Sequence, residues 1–114
     1  MTPFDRGDIV LVPFPFSNQT TTKKRPAAVI SSNSYNNVSP DIVIMAVTSK
    51  TEKTFGIGEC LIKNWKEAGL LKPSSVKPAL STVEQTLVLK KLGRPSSEDL
   101  ILMDKALKEL LALI

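Results

Sequence analysis

The 114-residue chain has no histidine and a single cysteine, Cys60. Lack of histidine removes the usual zinc ligand sets and the imidazole that would activate a thiol nucleophile. A lone cysteine excludes an intramolecular disulfide and any multi-thiolate metal site, so Cys60 reads as a half-buried strand residue. No tight acidic cluster takes the place of these ligands, and no metal site is expected. Long apolar runs are also missing: the longest, Ile42 to Val47, is far below the ~20 residues of a membrane-spanning helix. The start, Met1-Thr2-Pro3-Phe4-Asp5-Arg6, has neither the basic segment nor the apolar stretch of a secretory signal. A cytoplasmic protein without membrane attachment is expected. There is no internal repeat or low-complexity tract.

What is present suits one folded domain spanning residues 1–114. Hydrophobic residues make up 42% and charged residues 23%, the balance of an ordinary globular protein, and the length suffices for one core but not two. Fifteen basic against eleven acidic residues give a net charge of +4, which is compatible with nucleic acid without requiring it. Placement says more than the total. Between Asp8 and Asp41 the only charged residues are Lys23, Lys24 and Arg25, one undiluted positive cluster.

Asp8 to Phe16 is β-branched and aromatic and predicts a strand. Its Pro13 and Pro15, two apart, spoil one hydrogen-bonding side only, so the end of this strand should be a sheet edge. Ser17 to Lys24 is polar and reads as a surface loop, and a second strand is expected from Pro26 to Ser31. Arg25, preceding proline, is held extended at the junction. After a polar turn from Ser32 to Pro40, residues Asp41 to Val47 predict a strand buried on both faces. If these two strands pair antiparallel about a centre between Asn36 and Asn37, paired numbers sum to 73 and Arg25 stands opposite Thr48. Both would then lie at a solvent-facing strand end. Gly56 to Ile62 predicts a strand, and Asn64 to Gly69 one helical turn capped by Asn64. Further strands are expected over Ser75 to Val83, interrupted or at an edge because of Pro78, and over Leu87 to Leu92. Ser96 or Ser97 should cap a terminal helix with an apolar stripe of Leu100, Met103, Leu107, Leu110, Leu111 and Ile114. The fold class is therefore mostly β (α+β), a small SH3-like β-barrel with a C-terminal α-helix.

Five segments, in order and spacing, give the chain a family likeness: Gly7 to Phe16, Lys23 to Ser32, Val47-Thr48-Ser49, Ala68 to Ser74, and Leu92-Gly93. Together they resemble the MazF/PemK toxins of type II toxin-antitoxin systems. The resemblance implies a homodimer that cleaves single-stranded RNA, usually mRNA, at short sequences without metal or cofactor. It also implies neutralisation by a cognate antitoxin, with operator DNA contacted only through that antitoxin. The family's catalytic arginine falls on Arg25 and its threonine on Thr48. Lys23, Lys24, Gln19, Ser49 and Lys77 are the further candidate RNA contacts. One departure stands out. Many relatives carry a Glu-Gln pair and a glycine before the arginine, whereas Asn18-Gln19-Thr20-Thr21-Thr22 has no acid and no glycine, so no carboxylate of that loop can be the general base.

Metal-free RNA cleavage proceeds by attack of the 2′-hydroxyl on the neighbouring phosphorus, leaving a 2′,3′-cyclic phosphate and a 5′-hydroxyl. It needs a proton acceptor, charge stabilisation and a donor to the leaving oxygen. Arg25 can stabilise charge with a bidentate fork, but a pKa above about 12 makes it a poor donor and no base at neutral pH. Thr48 can hydrogen-bond a phosphate oxygen or the 2′-hydroxyl, and the base stays unassigned. Apart from the resemblance, Lys23 to Arg25 reads more readily as a solvated loop, Thr48 as a strand terminus and Trp65 as a packing residue. Two other functions remain open: a toxin of the same fold that poisons DNA gyrase, as the CcdB group does, and an inactive relative that only binds antitoxin or RNA. Apolar Ile101, Leu102 and Ala106, off the main stripe of the last helix, suggest a second covered surface and hence a dimer.

Overall fold

The computed structural model describes residues 4–15, 22–51 and 55–113. Within them six strands form, β1 (Ile9–Pro15), β2 (Thr22–Val29), β3 (Asp41–Thr48), β4 (Cys60–Ile62), β5 (Ser74–Glu84) and β6 (Lys90–Gly93), with two α-helices, α1 (Asn33–Val38) and α2 (Ser97–Leu111). All strand pairs are antiparallel, in the order β4-β5-β3-β2-β1-β6. The mostly β architecture with a terminal helix is the one expected.

Alternation sorts the apolar side chains onto two faces. Ile9, Ala28, Met45, Val47, Ile62 and Val76 form one core with Met103 and Leu107 of α2. Val10, Val12, Ala27, Val29, Ile42 and Ile44 form the other. Trp65 packs against the first core, as a packing residue would. No described helix is long and apolar enough to cross a membrane.

The β2–β3 register has Ala27 opposite Ala46, Ala28 opposite Met45 and Val29 opposite Ile44, the constant sum of 73 expected. The connection is not a plain turn. Ser32 caps the six-residue α1, its hydroxyl accepting from Tyr35 N–H. Buried Asn36 then donates to the carbonyls of Phe4 and Ser31, at 3.3 and 3.2 Å. Short polar side chains here satisfy a helix end rather than a tight reversal.

β1 pairs with β2 along its whole length but with β6 only from Ile9 to Leu11. Pro13 and Pro15 lie beyond the second ladder, at the expected edge. β2 begins at Thr22 rather than Pro26, because Pro13 and Phe14 of β1 stand opposite Lys24 and Lys23 and extend the ladder. The expected loop is thus strand over Thr22 to Lys24, and residues 16–21 lie outside the described residues. β5 slips register against β3 between Leu80 and Val76, around Pro78, where an interruption was expected. β4 and β6 are both shorter than the sequence suggested, the latter preceded by a 3-10 turn over Gln85–Leu87.

Edge strands β4 and β6 share no ladder among the described residues, so the sheet is open by hydrogen bonding. The chain after β4 nevertheless lies against β6. A Cβ on Gly93 would fall 2.5 Å from the carbonyl oxygen of Ala68, and one on Gly69, whose φ is +85°, would overlap the carbonyl of Leu92. Backbone meets backbone across this seam, an approach that only glycine permits.

Asn64 does not cap a helix as expected. Its side chain donates to Ser96 Oγ at 2.7 Å, and its backbone N–H, with that of Lys63, donates to the fully buried Asp99 carboxylate at 2.8 and 2.9 Å. Ser96 is the cap of α2, accepting from Asp99 N–H at 3.2 Å. The first turn of α2 therefore fixes the exit of β4. In α2, Met103, Ala106 and Leu107 are buried while Leu111 is 47% exposed, and Ile114 lies outside the described residues. Buried Ala106 belongs to the intramolecular core and does not support a second covered surface. Ile101, 69% exposed, still fits one.

Candidate nucleic-acid interface

At the end of the sheet where β2 enters, a groove of about 630 Å³ opens between β2, the β4–β5 connection and β6. Leu11, Pro26, Val47, Leu70, Leu71 and Leu92 supply its apolar lining. Five basic residues, Lys23, Lys24, Arg25, Lys72 and Lys90, line it as well, with no acidic residue among the described lining. Ion pairs elsewhere make the contrast plain. Arg6 and Lys108 pair with Asp104, Lys63 with Glu98, and Lys91 and Arg94 with the buried Asp8. Among the described residues no carboxylate pairs with Lys23, Lys24, Lys72 or Lys90. Positive charge on one wall of a concave apolar surface raises the local concentration of a polyanion.

Strand alternation positions the expected residues. Val12 stands opposite Arg25, which puts Arg25 on the face of the second core. Continuing the β2–β3 register past Ala27 and Ala46 places Thr48 on that same face. Thr48 itself pairs with Ser75 of β5 and is only 9% exposed, its Oγ1 accepting from Lys50 N–H at 3.2 Å. The expectation of a solvent-facing Thr48 is therefore corrected: it is buried where β3 pairs with β5. Val47 and Ser49, its neighbours, line the groove, and Thr48 does not. Of the candidate contacts, Lys23, Lys24, Arg25 and Ser49 come together. Lys77 is exposed where β5 slips register and is not part of the groove, and Gln19 lies outside the described residues.

Lys72 and Lys90 were not recognised from sequence. Lys72 stands alone between apolar residues and a proline and Lys90 forms only a Lys90-Lys91 pair, and the seam of Gly69 against Leu92 brings their segments to the same opening. The described residues hold no group of three or more His, Cys, Asp or Glu side chains able to bind a metal. Cys60 is half-buried, with its thiol pushed up to about 11 by burial and by the nearby Asp99 carboxylate. A thiol so protonated is a poor nucleophile at neutral pH.

Residues 5–111 match the family of PemK-like, MazF-like toxins of type II toxin-antitoxin systems. The chain belongs to this family. No curated protein matches it by sequence. Among solved structures, the MazF/PemK chain is similar to an endoribonuclease in complex with its cognate antitoxin from Mycobacterial species, at 17% identity and a TM-score of 0.79, with 97% of each chain covered. It is also similar to MazE-MazF from Deinococcus radiodurans, at 20% identity and 0.75, with 100% of each covered. A third is the Mycobacterium tuberculosis toxin MazF-mt6, at 14% identity and 0.72, with 94% of this chain and 98% of that one covered. At these identities the likeness establishes the MazF fold over nearly the whole chain.

Proposed function

We propose that this MazF/PemK toxin is an endoribonuclease that cleaves single-stranded RNA, chiefly mRNA, without a metal ion. The observation that carries the reading is the groove itself, where Arg25 sits among four lysines beside an apolar wall. Phosphates would meet the cations, as in the positively charged grooves of single-strand binders, and bases would lie against the leucines. In this reading Arg25 holds the phosphate oxygens with its planar fork as negative charge grows on them. Thr48, buried beside the groove rather than lining it, accepts the Lys50 N–H on one lone pair and in this reading contributes by positioning the Ser49-Lys50 backbone at the groove, its O–H remaining free to donate. Among its described lining residues the groove offers no imidazole, thiol or carboxylate to anchor a metal. The toxin acts as a cytoplasmic homodimer, and an acidic, initially disordered segment of its cognate antitoxin covers the Lys23 to Arg25 rim.

Incubation of the purified protein with a defined RNA, followed by mapping of the product ends, tests the reading. Cleavage in EDTA yielding 2′,3′-cyclic phosphate and 5′-hydroxyl ends is expected. Loss of cutting in chelator with recovery on adding metal would refute the metal-free route, and undiminished cutting by a folded Arg25→Ala protein would remove its central residue.

A further inference from the structure

We infer that Lys72 and Lys90 form a second phosphate-binding wall that holds the RNA strand away from the scissile bond, an inference that rests on the ribonuclease reading. Lys72 lies just beyond Gly69 in the β4–β5 connection, and Lys90 opens β6 just before Leu92. The seam between these segments is backbone against backbone, so it fixes the two lysine-bearing elements relative to each other more firmly than side-chain packing would. Both lysines line the same groove as Lys23, Lys24 and Arg25, from the β4–β5 connection and from β6 rather than from β2. β1 separates β6 from β2 in the sheet. The groove thus carries cations from elements other than β2, and neither Lys72 nor Lys90 is neutralised by a described carboxylate. A single strand laid between the walls would have phosphates near Arg25 for chemistry and further phosphates against Lys72 and Lys90 for binding. Leu71, 93% exposed at the lip beside Lys72, offers the adjoining base an apolar contact.

These lysines are binding residues, so their loss should act on KM and on salt dependence rather than on kcat. Each phosphate contact removed lowers the slope of log affinity against log salt by ~0.7 for a single strand. The test measures binding of a short mixed-sequence 2′-O-methyl RNA, which cannot be cleaved, across a salt series. The proteins are wild type, Lys72→Gln, Lys90→Gln, the double variant, and Lys105→Gln, which removes an equal charge from the exposed side of α2. The slope should fall by ~0.7 in each single groove variant and ~1.4 in the double, with Lys105→Gln unchanged. With cleavable RNA, KM should rise a few-fold and kcat should stay within about twofold, because lost phosphate contacts weaken binding uniformly. Equal slopes in all five proteins, with wild type cutting RNA, would overturn the inference and leave the ribonuclease reading standing. Unchanged RNA slopes with weakened binding of polyglutamate would assign the wall to an acidic peptide and overturn it too. Absence of RNA binding and cutting by wild type would instead sink the ribonuclease reading itself.

Discussion

Replacing Asp99 should destabilise the fold more than any surface substitution, and the reason can be worked through atom by atom. Its carboxylate is fully buried and accepts the backbone N–H groups of Lys63 and Asn64, at 2.9 and 2.8 Å. Asp99→Ala leaves both donors without their partner where the carboxylate itself is fully buried. At about 1–3 kcal/mol for each unsatisfied buried group, the loss is about 2–6 kcal/mol, a large share of the ~5–15 kcal/mol that holds a domain together. Asp99→Asn keeps one acceptor and sets an amide against the other N–H, so about half that loss is expected, ~1–3 kcal/mol. Urea unfolding followed by fluorescence of Trp65, the only tryptophan, measures both. With slopes of ~1–3 kcal/mol per molar urea, the alanine midpoint should drop by about 1 M or more. The order wild type, Asn, Ala is the diagnostic result. A midpoint for Asp99→Ala within error of wild type, or equal losses in the two variants, would show that the carboxylate is not the clamp described.

Arg25→Ala should lower RNA cleavage ~10²-fold or more, and Arg25→Lys should recover only part of it because charge returns without the planar fork; full rescue by lysine, measured with the defined RNA above, would show that charge alone suffices. Gly69→Ala should cost at least the ~1–2 kcal/mol of a left-handed non-glycine residue and more from the overlap with Leu92, and it should weaken RNA binding by parting the two walls; unchanged unfolding midpoint and affinity would disprove the seam. Spectroscopic titration of Cys60 in the native protein should give a midpoint near 11 rather than 9.0, and a value at or below 9.0 would refute the buried, anion-facing thiol. The folded state then holds this proton more tightly than the unfolded one, so the thiol's contribution to stability is present below pH 9 and is lost as pH rises toward 11.

How far the fold could be read in advance depended on how local its causes were. The β2–β3 register was legible because apolar runs on either side of one polar stretch leave little freedom, and the sum of 73 followed. A cap at Ser96 or Ser97 was legible for the same reason, since serines directly precede the apolar helical stripe, and the structure puts it at Ser96. Where a residue answers to a distant partner, the reading failed. Asn64 carries a capping side chain but spends it on Ser96, and Lys23 and Lys24 read as loop until β1 is laid beside them. Thr48 is buried where β3 pairs with β5, whose register slips around Pro78. Lys72 and Lys90 meet only because two glycines let non-adjacent backbones touch. In the candidate site, then, the rim formed by β2 was visible and the opposing wall was not.

The two prolines of β1 decide how a partner chain can engage this end of the molecule. Leu11 turns its carbonyl toward β6, accepting from Leu89 N–H at 2.9 Å, so Pro13 and Pro15, of the same parity, face the same open side with carbonyls and no N–H. A strand arriving there would find acceptors but no donors at those positions and could form only half a ladder. An antitoxin segment or a second toxin chain is thereby denied growth of the sheet past Leu11, and recognition must run through side chains, which discriminate between partners where a bare backbone edge would accept almost any.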